Sequence, residues 1–268
     1  MSFGSALLSR IQSGASHLTQ TVFGPGQNDL VHDGERVALN PTGASGDAVL
    51  YVNGAATDAQ HARAEASDFA RTTHRSVLLI DNATGIRQYK NPLAQTLSTI
   101  GGSRKDGEQI LADHQARGDD PAVVSMKDEI MHRLRAARGV EIAGYSQGAG
   151  IAARALNEAK DARLAELTPS LGSAGAEAEV KAELARVHVL NISGTAKASD
   201  FPEGIDYHHV ENAGDPVVRE LGEGSGPRRD AEFEQRLNRL AIELPLGLEA
   251  HRQSNVLALN GAAVDALF

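Results

Sequence analysis

Val140-Glu141-Ile142-Ala143-Gly144-Tyr145-Ser146-Gln147-Gly148 runs from a short apolar segment into a serine flanked by glycines, and Ala149-Gly150-Ile151-Ala152-Ala153-Arg154-Ala155-Leu156 follows as a helix-forming run. The order predicts a strand, a sharp turn and a helix. That is the setting in which a G-x-S-x-G sequence holds a serine in a strained conformation at a strand's end. The glycines let the backbone turn tightly, so the Ser146 hydroxyl is presented to solvent and substrate. The chemistry such a turn serves is acyl transfer through a covalent serine ester. Neither G-x-x-x-x-G-K-[ST] nor G-x-G-x-x-G stands in a strand-to-helix setting in this chain, which disfavours a phosphate-binding turn.

Strand and helix signals alternate on both sides of this turn. Ala48-Val49-Leu50-Tyr51-Val52 reads as a buried strand, and Thr57-Asp58-Ala59-Gln60 has the capping-box form that opens a helix running to about Thr72. Ser76-Val77-Leu78-Leu79-Ile80 is the next strand. Asn91-Pro92 and Asp120-Pro121 each place proline at a first helical position after a capping residue. The second of these helices carries Val123, Met126, Ile130 and Leu134 on one face and is closed by Gly139. Beyond the central turn, the pattern predicts a helix over 175–185, strands over 187–192 and 207–210, a charged helix near 230–240 and a final helix over 254–268. Such alternation implies an α/β fold with a mostly parallel sheet covered on both faces.

A chain of 268 residues, 41% hydrophobic, is long enough for one large domain, expected over 47–268. Residues 1–46, rich in Ser, Gly, Gln and Asn, read as a mobile or wrapping arm. The net charge of -9 argues against nucleic acid as a partner, and no run of 18 apolar residues suggests a membrane span. With no cysteine there are neither disulfides nor a thiolate metal site. The N-terminus lacks the charged and apolar regions of a Sec signal, so the expected location is cytoplasmic, or outside the cell by a signal-peptide-independent route.

A serine hydroxyl becomes a nucleophile when an imidazole takes its proton and a carboxylate fixes that imidazole's tautomer. Asp215, in His209-Val210-Glu211-Asn212-Ala213-Gly214-Asp215-Pro216-Val217, follows a strand and a turn, which puts its carboxylate at the sheet's C-terminal edge beside Ser146. Asp200, after the preceding strand, is the competing acid. His251, 251 − 215 = 36 residues after Asp215 and in a loop before the last helix, is the candidate base. The adjacent His208 and His209 face opposite sides of their strand and so share no metal site. Two backbone N–H groups are needed for the developing oxyanion: one from Gln147, the other from Ala55 or Ala56 in the Asn53-Gly54-Ala55-Ala56-Thr57 loop.

With these residues in view, Gly144-Tyr145-Ser146-Gln147-Gly148-Ala149 resembles the nucleophile elbow of cutinases and cutinase-like esterases. Asp215-Pro216-Val217 followed at a distance by His251 is similar to the acid and base segments of triacylglycerol lipases. The resemblance implies the α/β-hydrolase superfamily: a three-layer α/β/α sandwich, and a serine esterase, lipase or phospholipase with triad roles on Ser146, Asp215 and His251. It implies no metal and no organic cofactor. Cutinases rely on disulfides and this chain has none, so polyester hydrolysis is not implied. An acyltransferase or thioesterase on the same triad, or a non-catalytic exported bacterial effector keeping the fold, are the alternative functions. The substrate expected is a small-molecule or lipid ester. Arg87, Arg219 and Arg252 near the rim suit peripheral contact with lipid, and the 85–118 and 168–185 regions are long enough to act as a lid.

Overall fold

The computed structural model describes residues 34–40, 45–55, 57, 59–82, 110, 118 and 120–223. Among these residues six strands form one sheet: β1 (Arg36–Leu39), β2 (Ser45–Val52), β3 (Arg75–Ile80), β4 (Val140–Tyr145), β5 (Val187–Ile192) and β6 (Asp206–Val210). With them stand helices α1 (Ala59–Thr73), α2 (Pro121–Arg135), α3 (Gln147–Leu184) and α4 (Pro216–Glu220). The spatial order is β1-β3-β2-β4-β5-β6, with β1 antiparallel to β3 and the other neighbouring pairs parallel. The fold is therefore α/β with a mostly parallel sheet.

Successive residues of a strand point to opposite faces, and both faces here are apolar. Val49 and Tyr51 join Ala62, Ala66, Phe69 and Ala70 of α1 on one side; Leu50 and Val52 join residues of α2 and α3 on the other. The buried positions of α1 recur at helical spacing, and the Phe69 ring lies 5.4 Å from that of Tyr51. The helix starts at Ala59, and Thr57 uses its hydroxyl on the preceding loop, donating to the Ala55 carbonyl at 3.1 Å.

Asp120 caps α2 as its sequence predicts, accepting from the Ala122 N–H at 2.8 Å, with Pro121 in the first turn. The other end differs from expectation. The residue that leaves the helix in a left-handed conformation is Ala137 (φ 53), two residues ahead of Gly139. Its N–H returns to the Leu134 carbonyl, and that of Arg138 to Arg133. These bonds outweigh the ~1–2 kcal/mol that a Cβ costs in this region.

Two other expectations are corrected. Arg36–Leu39, assigned to the arm, form a sheet edge in register with Val77–Ile80, and β2 begins at Ser45, so the boundary at 46 falls inside the sheet. The 168–185 region does not overhang Ser146. In α3, Pro169 and then Gly172 (φ 68) interrupt the helix, and the chain folds back so that Arg163 pairs with Glu183 at 2.8 Å. The first arm spans about 37 Å against about 20 Å for β4. The returning arm then leads into the start of β5, so the turn sits at the opposite edge of the sheet from Ser146.

Candidate active site

The parallel strands are ordered so that β2 and β4 are neighbours although the chain leaves them for opposite faces: α1 follows β2 on one side, α3 follows β4 on the other. A crevice opens at such a switch point beyond the strands' C-terminal ends. Its two lips are the Asn53–Ala55 loop after β2 and Ser146 after β4. The residues at these strand ends are polar and buried: Asn53, Asn82, Ser146, Gln147, Ser193, Thr195, Asn212 and Asp215. Buried polar groups are costly, so their concentration at one edge makes that edge the candidate site.

Ser146 has φ 54 and ψ -118, a conformation L residues rarely hold. It occupies the N-cap position of α3, yet its side chain makes no capping hydrogen bond to that helix. The flanking glycines are required by close approach. A Cβ on Gly144 would sit 2.6 Å from Ala149 Cα, and one on Gly148 would run into the Val52 carbonyl. On the opposite lip, a Cβ on Gly54 would lie 2.9 Å from Ser146 Cβ, so the β2 loop abuts the serine directly.

The loop after β5 holds this turn in place. Ser146 N–H donates to the Ile192 carbonyl at 3.0 Å, and the Ser146 carbonyl accepts from Thr195 N–H at 2.9 Å. Ser193, itself at φ 47, turns the loop back. Gly194 then packs against Ala149, and Asn191 Nδ2 donates to the Ala196 carbonyl and to the Tyr207 hydroxyl, both at 2.8 Å. Burial pushes the Tyr207 phenol well above its ordinary range, and its hydroxyl donates to Glu223 at 2.9 Å.

A second chain of amides crosses the strand ends. Asn53 Oδ1 accepts from Asn82 N–H at 2.8 Å while Asn53 Nδ2 donates to the Asn82 carbonyl at 3.0 Å. Asn82 Nδ2 in turn donates to Gln147 Oε1 at 3.2 Å. Sequence patterning places Asn53 in the loop after β2 and gives Asn82, Asn191 and Thr195 no functional role. Their one signal is a polar residue immediately at or after an apolar strand.

Asp215, 3% exposed, caps α4, with Oδ1 accepting from Val217 N–H at 2.8 Å. It follows β6, two strands from β4. Asp200 lies in a short 3-10 turn after β5, its carboxylate accepting from Lys197 N–H at 2.8 Å. Its carbonyl holds Asn157 Nδ2, 157 − 146 = 11 residues beyond Ser146, about 16 Å down α3. Gln147 and Ala55 stand on the two lips of the crevice. His251 and Ala56 lie outside the described residues, as do Arg87 and Arg252, while Arg219 pairs with Glu220 at 3.2 Å. His208 bonds to Asp206 at 2.9 Å and His209 to Glu211 at 2.8 Å. Among the described residues no group of three or more His, Asp or Glu side chains is arranged for a metal ion, and no helix is long and apolar enough to cross a membrane.

Comparison of this chain with protein-family models, with curated proteins and with solved structures finds no match in any of the three.

Proposed function

We propose that this protein is a serine hydrolase of carboxylic esters, built as a three-layer α/β/α sandwich of the α/β-hydrolase type. The observation that carries the reading is Ser146 itself: left-handed, wedged between two obligatory glycines at the end of a central parallel strand, with the β2 loop against its Cβ. Strain of ~1–3 kcal/mol persists only where the surroundings over-determine it. An ordinary strand-to-helix turn needs none.

In this reading Ser146 Oγ attacks the ester carbonyl as His251 takes its proton. The oxyanion is held by the N–H groups of Gln147 and of Ala55 or Ala56. His251 then returns the proton to the departing alcohol, and water repeats the cycle on the acyl-enzyme. Asp215 is favoured over Asp200 as the carboxylate orienting His251, because Asp200 is tied to the flank of α3 well below Ser146.

The test is labelling by a fluorophosphonate with the adduct mapped by mass spectrometry, beside turnover of p-nitrophenyl esters from acetate to palmitate. Labelling confined to Ser146 and lost in Ser146→Ala is expected. A parent protein that neither reacts nor turns over any ester overturns the reading. Including phosphatidylglycerol and phosphatidylcholine vesicles decides the substrate. Hydrolysis of the long esters with salt-sensitive binding to the anionic vesicles identifies a lipase, and activity confined to acetate and butyrate a small-ester esterase.

A further inference from the structure

We infer that Asn82 is a positioning residue for the oxyanion hole, acting through the side chain of Gln147; the inference rests on the Ser146 reading above. Asn82 follows β3, and β3 is separated from β4 by β2. Its amide therefore reaches Gln147 across about 10 Å of sheet, over the tip of β2. That tip is Asn53, clasped to the Asn82 backbone by two hydrogen bonds and to the Gly54 carbonyl by a third at 3.2 Å. One continuous chain thus runs from the loop that supplies one proposed oxyanion donor to the residue that supplies the other. Both donors belong to backbone whose direction the chain sets.

Stability alone does not account for Gln147. It is 1% exposed, and its Nε2 has no hydrogen-bond partner among the described residues. A buried donor left unsatisfied costs more than the one bond Gln147 accepts returns. An apolar side chain of the same length would remove that orphaned donor but take the Gln147 acceptor from the buried Asn82 Nδ2, so the two costs offset one another. What it would lose is the link to Asn82, the bond that ties the first residue of α3 to the end of β3.

The experiment is a double-mutant cycle on the full chain with Asn82→Ala, Gln147→Met and both together, read by kcat, KM and fluorophosphonate labelling rate on a short p-nitrophenyl ester, beside urea denaturation. Each single variant is expected to lower kcat and labelling about tenfold with KM unchanged, less than the ~10²–10³ for outright loss of a donor. The double variant should be no slower than the slower single one. Gln147→Met should keep about the parent's urea midpoint, since it exchanges one unsatisfied buried donor for another, so a fall in kcat with that midpoint unchanged is a result that a merely structural role for the amide does not produce. It also carries the test should Asn82→Ala fail to fold. Unchanged kcat in Gln147→Met, or losses that multiply in the double variant, overturn the inference while leaving the Ser146 reading intact. A parent that neither turns over nor is labelled overturns both.

Discussion

The backbone N–H of Thr195 donates to the carbonyl of Ser146 at 2.9 Å, which fastens the loop after β5 to the turn after β4. Ser146 N–H is held by the Ile192 carbonyl at the end of β5, so both sides of this residue's backbone are fixed by β5 and the loop that follows it. A left-handed serine survives there because relaxing it would break bonds in a packed, buried place.

Ser146→Gly should therefore raise stability by about 1 kcal/mol while abolishing ester hydrolysis, because glycine accepts φ 54 without the Cβ penalty. Ala137→Gly, at φ 53 on the far side of the fold, should give a similar gain with full activity. Urea denaturation and a p-nitrophenyl ester assay check both. A Ser146→Gly protein less stable than its parent would mean that the turn stores no strain.

Gly148→Ala should cost about 1–3 kcal/mol or more, since its Cβ would meet the Val52 carbonyl in the body of the sheet rather than a yielding side chain. The denaturation midpoint reports it. An unchanged midpoint would show that the end of β2 moves aside freely.

Asp215→Asn should lower kcat by roughly 10⁴ with little change in KM, the loss seen when a triad aspartate can no longer fix the imidazole tautomer. Asparagine still caps α4, so the fold should hold. Asp200→Asn should be mild. The reverse ranking moves the acid to Asp200.

Asp206 accepts hydrogen bonds from His188 and His208, and these, His188 first, hold its carboxyl below its ordinary value. A depressed carboxyl stabilises the fold above its unfolded pKa, near 4, and loses that contribution as pH falls through the lower folded value. The group is half-exposed, so the effect is under ~1 kcal/mol. Parent and Asp206→Asn should differ at pH 5 and converge between pH 4 and 2. A gap that widens with acid would contradict the assignment.

Much of the fold is legible in the sequence because its signals are local. The runs 48–52, 76–80, 140–143 and 187–192 are predominantly apolar, as strands covered on both faces are, and Asp120-Pro121 and Asp215-Pro216 mark helix starts by cap and fixed φ. Gly144-Tyr145-Ser146-Gln147-Gly148 likewise carries its turn within five residues. β1 is not legible: Arg36–Leu39 is four residues with one partner, too short for a period to show.

What only the tertiary structure decided is who stands beside whom. Residue 54 meets residue 146 across 146 − 54 = 92 positions of chain, and Asn82 meets Gln147 across 65. Hydrophobic period tells each strand that it is buried but not which strand lies next to it. That order comes from packing α1 on one face and α2 with α3 on the other, long-range contacts that no local pattern encodes. The amino-acid sequence by itself determined the strained serine and its helix; the β3-β2-β4 order, set by packing, decided that Asn53, Gly54 and Asn82 surround it.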